Sequence, residues 1–304
     1  MRPINYEYLL KKYDENLSFF EAYFEGNEFI SIDKKFPIFI IGLPRTGSTL
    51  LNQIMASTFN VGYISNLIAK FYCDPVMGVL LQKTLESKKT FDFSQAGKNV
   101  ATTNSIYDVN EFGYFWRRHL HINSIIDMLL YYKSFDEKRE KELANNIQRI
   151  GNAFELNSIM KANFALYTNT NAIEKLKPIW ILIERNVDDI IESLINVRKK
   201  KFGNLNHIWG MVAPDKYYSV NEFDYLSKGG KRSVDIQVEK LLEFYKNEIE
   251  NKDKYKNVLK IGYSDLCKFP NTVLNSINDY IFDKKGVILK TKKFETNLNF
   301  KTYK

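Results

Sequence analysis

The chain has 304 residues, 44% of them hydrophobic and 26% charged, with 44 Lys and Arg against 36 Asp and Glu for a net charge of +8. That composition excludes a disordered chain, and the length suits one large domain or two ordinary ones. No apolar run approaches the roughly 18 residues a membrane span needs, the longest being Phe36–Leu43 and Ile179–Ile183.

In chain order, residues 5–25 place Tyr6, Leu9, Leu10, Tyr13, Leu17, Phe20 and Phe24 near helical spacing. Charges recur through this segment and no apolar core of a secretory signal is present. Residues 35–42 (KFPIFIIG) form a short, continuously apolar run closed by glycine, as expected of a strand buried on both faces of a parallel sheet. Residues 43–47 turn into a helix that begins at Ser48. Residues 65–158 read as mostly helical, with 136–148 a solvent-exposed helix. A short strand at 157–163 precedes a helix to about Leu176. Residues 178–184 (PIWILIE) are the second buried strand, followed by a helix over 187–200 whose basic last turn suits the negative end of its dipole. Residues 201–234 read as loop, 235–251 as helix, 257–262 as strand, and 264–282 as a helix crossed by Pro270.

Strands alternating with helices predict an α/β fold. The expected architecture is a single domain spanning 1–304. Its central parallel sheet is flanked by helices, with a mostly helical insertion over 65–158. Residues 36–64 form the first strand–loop–helix unit and 159–304 the second half.

Cys73 and Cys267 stand apart from each other and from any His cluster, which predicts neither a disulfide framework nor a metal site and agrees with a reducing, cytoplasmic setting. The positive charge invites an anionic ligand, although solvated surface lysine accounts for much of it. The basic run 198–201 is too short for a nucleic-acid face, which needs cations interleaved with aromatics. Neither a nucleic-acid partner nor a membrane span is expected.

The segment Gly42-Leu-Pro-Arg-Thr-Gly-Ser-Thr49 has the outline of a phosphate-binding loop, a strand-to-helix turn whose amides and helix dipole favour an anion. Ser48 stands where the lysine of an NTP-binding loop would be, and Arg45 places a cation inside the turn instead. An NTPase or kinase lacking that lysine is the alternative reading. Arg185 follows the second buried strand, so it is expected at the carboxyl edge of the sheet beside the loop, where ligands of open α/β sheets bind. Ser193 lies two helical turns further along the same face. A guanidinium fork with a hydroxyl suits a second phosphate.

Together, the PRTGSTLL loop and the arginine followed eight residues later by serine resemble the 3′-phosphoadenosine 5′-phosphosulfate (PAPS)-dependent sulfotransferase family, most closely its bacterial-type branch. The resemblance implies that Arg45, Thr46, Gly47, Ser48 and Thr49 hold the 5′-phosphosulfate and that Arg185 and Ser193 hold the 3′-phosphate. It places Lys161 at the position of the catalytic lysine and Tyr263, in LKIGYSDLCKFP, near the nucleotide. PAPS is then the co-substrate, no metal is implied, and adenosine 3′,5′-bisphosphate is the product. The resemblance also implies a P-loop-like fold whose helical insertion over 65–158 binds the acceptor, a small molecule, glycan or lipid with a hydroxyl or amine. Asn163 replaces the histidine that many members carry two residues after the lysine. Leu50 stands where an adenine-stacking aromatic is frequent, and the distal basic element could be 228–232 or Lys292 with Lys293.

With Asn163 at that position the general base must come from elsewhere. Glu111, in the aromatic-rich stretch 108–121, is the expected base, since apolar surroundings would raise its pKa to a useful range. Pairing with Arg117 or Arg118 is the competing expectation for it. His119, His121 and His207 are the other candidates, His207 as part of an acceptor lid.

Overall fold

The structure, a computed structural model, describes residues 35–85, 105–131, 136–168, 170–250 and 255–292. The helix expected at 5–25 lies outside the described residues, as does Lys293.

Five parallel strands form one sheet: β1 (Pro37–Ile41), β2 (Gly62–Tyr63), β3 (Ser158–Lys161), β4 (Ile179–Glu184) and β5 (Val258–Gly262), in the order β2-β3-β1-β4-β5. β1 is central and buried along its whole length, as its unbroken apolar sequence requires. Its register pairs Ile40 with Lys161 on one side and Ile41 with Leu182 on the other, so three neighbouring strands end together.

Side chains alternate between two cores. Ile38, Ile40, Ile159, Ile181 and Ile183 pack against α1 (Ser48–Thr58). The same layer includes a carboxyl-terminal helix pair, α10 (Tyr263–Lys268) and α11 (Pro270–Lys285). Phe39, Ile41, Met160, Trp180 and Leu182 face the other layer. There the helices are α2 (Pro75–Thr84), α3 (Gly113–Leu120), α4 (Ile125–Leu129), α5 (Glu137–Phe154), α6 (Asn171–Glu174), α7 (Val187–Phe202) and α9 (Gly230–Glu250), while α8 (Val220–Lys228) packs on α9. Trp180 is fully buried, tilted against Phe39 at 4.6 Å and edge-on to Tyr255 at 4.9 Å. Each such ring contributes about 1.5–3 kcal/mol by burial.

Several local expectations are corrected. The helix expected to about Leu176 is a 3-10 turn at Asn163–Tyr167 and the short α6; between them the chain turns extended at Thr168, whose hydroxyl bonds back to Ala165 O at 2.7 Å, and left-handed at Thr170. Within the expected loop 201–234 stands α8, started by a capping box between Ser219 and Glu222, and α9 begins at Gly230 rather than 235. Pro270 does not sit inside one helix but opens α11, because proline suits a first helical turn and not an interior. α5 runs on to Phe154 and is not solvent-exposed all round: Leu143, Ala144, Ile147 and Ile150 are buried in the core.

Candidate functional site

The loop after β1 is built by close approach. A Cβ at Gly42 would lie 2.8 Å from the Ile183 carbonyl, so only glycine lets β1 and β4 end side by side, and Tyr245 donates to Gly42 O at 2.6 Å. Thr46 is 1% exposed and spends its hydroxyl and amide on Leu43 O, at 2.8 and 3.3 Å. It fixes the turn and does not line the cleft. Gly47, at φ 97°, begins α1 with no side-chain cap and no acidic residue in the first turn. The first amides of α1 are therefore left for an outside acceptor.

Around this turn the expected anion-binding residues meet. Arg45, itself left-handed at φ 73°, donates from Nε to Ser193 Oγ at 2.8 Å. Arg185 donates from Nη1 to Arg45 O at 3.1 Å and from Nε to Asp189 at 3.4 Å, and its guanidinium lies 4.5 Å over the Tyr263 ring. Tyr263 in turn covers Gly47, and burial pushes its hydroxyl up to about 12. Ser48, at the position of the missing lysine, is buried.

Lys161 ends β3 on the other side of the loop, its carbonyl held by Trp116 Nε1 at 3.0 Å. Its ammonium pairs with Glu111, and Thr49 Oγ1 donates to the same carboxylate at 3.1 Å. The expected environment of Glu111 is corrected. Its side chain is 63% exposed to the cleft, and the Lys161 ammonium holds its carboxyl below the usual carboxylate value, outweighing desolvation. Its partner is Lys161 and not Arg117, whose guanidinium closes the α3–α4 turn on Ile122 O and Asn123 O. Asn163 lines the cleft with Oδ1 buried and without a hydrogen-bond partner among the described residues.

These groups open onto a cleft of about 570 Å³. None of the three histidines lines it. His119 packs edge-on against Phe115 at 4.6 Å, and burial pushes it down to about 4. His121 ends α3 in the left-handed region, and His207 packs on Phe202 at 5.1 Å. The stretch 228–232 is not at the cleft either. Gly229, at φ 81°, lets α8 turn into α9 against Asn206, where a Cβ would meet Asn206 Cα at 2.5 Å. Lys292 donates to Ala56 O at 2.7 Å, behind α1.

The cleft is also lined by Ile125, Met128 and Phe164 and by Ile208, Trp209 and Met211, none of which sequence reasoning named as a site residue. That reasoning also missed Asn196, one turn beyond Ser193 on the same face of α7, which the i, i+3 spacing could have shown. Among the described residues no group of three or more His, Cys, Asp or Glu could hold a metal ion, and no helix is long and apolar enough to cross a membrane.

A model described as the sulfotransferase family matches residues 37–150, which include β1, the loop and Glu111 but stop short of Lys161, Arg185, Ser193 and Tyr263. No curated protein matches the chain. Among solved structures, sulfotransferase STF1 of Mycobacterium tuberculosis H37Rv is 17% identical at a TM-score of 0.48, over 89% of this chain and 72% of that one. Sulfotransferase STF9 of Mycobacterium avium is 11% identical at a TM-score of 0.51, over 86% and 67%. The likeness to STF9 is one of fold. Over residues 37–150 the chain matches the sulfotransferase family, and its fold, a five-stranded parallel sheet flanked by helices, is that of a sulfotransferase.

Proposed function

We propose that the protein transfers the sulfuryl group of PAPS to a hydroxyl or amine of an acceptor and releases adenosine 3′,5′-bisphosphate. One observation carries this reading. The adjacent ends of β3, β1 and β4 bring Lys161, the Arg45–Thr49 turn and Arg185 with Ser193 to one cleft, as the binding of a doubly anionic nucleotide requires.

The donor, when bound, supplies the sulfuryl group; the chain supplies position and field. The amides opening α1, with Arg45 and Lys161, face the phosphosulfate end, where charge spreads during in-line transfer. Arg185 offers a fork to the 3′-phosphate beside Ser193, and Tyr263 walls the nucleotide. Glu111 accepts the acceptor's proton. Its bond to Thr49 puts it at the reacting end of the loop, and its ion pair with Lys161 must open for the carboxylate to reach an acceptor.

Isothermal titration against adenosine 3′,5′-bisphosphate without metal, and against ATP with Mg²⁺, tests the reading. Binding of the bisphosphate with little or no binding of ATP is expected. Preference for ATP with Mg²⁺ would favour a kinase-like protein.

A further inference from the structure

Arg198 is fully buried, yet it lies in the last turns of α7, where a run of basic residues would be expected to face water. Its guanidinium donates to three neutral groups: Leu205 O at 3.2 Å, Ser233 Oγ at 2.8 Å and Gln237 Oε1 at 2.5 Å. Burying a guanidinium against neutral partners is costly, so the fold gains something specific from it. Gln237, also 0% exposed, passes the connection on, donating from Nε2 to Trp209 O at 2.9 Å and Met211 O at 2.6 Å. Leu205 O accepts again from Gly230 N at 3.1 Å. Between them, α7 and α9 thus hold the backbone of 205–211 at its start, middle and end. That segment carries Ile208, Trp209 and Met211 into the cleft that Ile125, Met128 and Phe164 also line, and it sets Gly210 beside Pro44 of the phosphate-binding turn.

We infer that Arg198 and Gln237 are positioning residues that clamp 205–211, so that Ile208, Trp209 and Met211 wall the acceptor side of the cleft against an apolar acceptor body. The inference rests on the sulfotransferase reading for the word acceptor; the clamp itself does not. Neither residue touches the cleft. Both act through the backbone carbonyls they hold.

Gln237→Glu isolates the clamp. The carboxylate keeps the partner of Arg198 and adds an opposite charge to it, but it loses both donors to Trp209 and Met211 and repels their carbonyls. Gln237→Met, which removes the donors without adding charge, is the second variant. Three readouts apply: amide hydrogen exchange along the chain, acrylamide quenching of tryptophan fluorescence, and steady-state kinetics with PAPS and 2-naphthol as the apolar probe alcohol. Trp116 and Trp180 are fully buried, so quenching reports on Trp209. Expected in both variants are exchange within 205–211 faster by about tenfold or more with α7 and α9 unchanged, and greater quenching. KM for 2-naphthol should rise while kcat and the affinity for adenosine 3′,5′-bisphosphate hold.

Exchange that is unchanged in 205–211, or that rises equally through α7 and α9, overturns the clamp. A lowered kcat at constant KM overturns its role at the acceptor wall, and so does a wild type that binds the bisphosphate but leaves 2-naphthol untouched. A wild type that does not bind the bisphosphate sinks the sulfotransferase reading instead, and the exchange data then still decide the clamp.

Discussion

Arg45 Nε donates to Ser193 Oγ at 2.8 Å, joining two residues 148 positions apart. The cation of the phosphate-binding turn and the hydroxyl assigned to a second phosphate therefore hold each other. Replacing Ser193 by Ala is expected to weaken adenosine 5′-phosphate by about 0.5–1.5 kcal/mol, because Arg45 loses its anchor, and adenosine 3′,5′-bisphosphate by at least as much. Calorimetry with the two nucleotides checks this; a loss confined to the bisphosphate would mean that Ser193 serves the 3′-phosphate alone.

Arg185→Ala should behave differently. Its guanidinium presents a fork beside Ser193 with Tyr263 beneath it, so the loss for the bisphosphate is expected at about 1.5–3 kcal/mol. For adenosine 5′-phosphate the loss should be much smaller. Equal losses would remove Arg185 from the 3′-phosphate site.

Gly47→Ala tests the turn itself. At φ 97° a side chain is strained, and its Cβ would meet the Tyr263 ring at 2.4 Å. Nucleotide binding is expected to fall at least about tenfold while the protein stays folded, since a strained, displaced turn no longer presents its amides. Unchanged titration curves would show that the turn does not hold the ligand.

Lys161 and Glu111 make a linked pair of predictions. Lys161→Ala should lower turnover far more than it weakens the bisphosphate, as expected for a group that stabilises the transferring sulfuryl rather than the ground state. Glu111→Gln should lower turnover by roughly 10²–10⁴-fold with nucleotide affinity intact. Because Lys161 holds the Glu111 carboxyl below its ordinary 4.5, the acidic limb of kcat/KM in the wild type should lie below that value. In Lys161→Ala the limb should move up. A limb that persists in Glu111→Gln places the base elsewhere.

His119 offers a test of stability instead of activity. Burial lowers its pKa from 6.5 to about 4, so the neutral ring is favoured in the folded state. This contribution is fully present above pH 6.5 and is lost as pH falls from there through about 4. His119→Gln, neutral throughout, should flatten the fall of the urea midpoint over that range and leave turnover at neutral pH unchanged. A parallel fall in both proteins, or a loss of turnover, would contradict the assignment.

Much of the site's frame could be read locally. The apolar runs at 36–43 and 179–183 specify buried parallel strands, and a glycine-bounded turn after the first and an arginine after the second place both at one sheet edge, because parallel strands end on a common side. What the sequence left open depends on partners distant along the chain. Glu111 looked like a carboxylate among aromatics, since nothing nearby in sequence reveals that β3 delivers Lys161 to it. Arg198 looked like surface charge at a helix end, and only the packing of α7 on α9 buries it against Ser233 and Gln237. The wall at 208–211 has neither strand nor helix periodicity. Its shape comes from hydrogen bonds to side chains on other elements, so tertiary packing alone decided it.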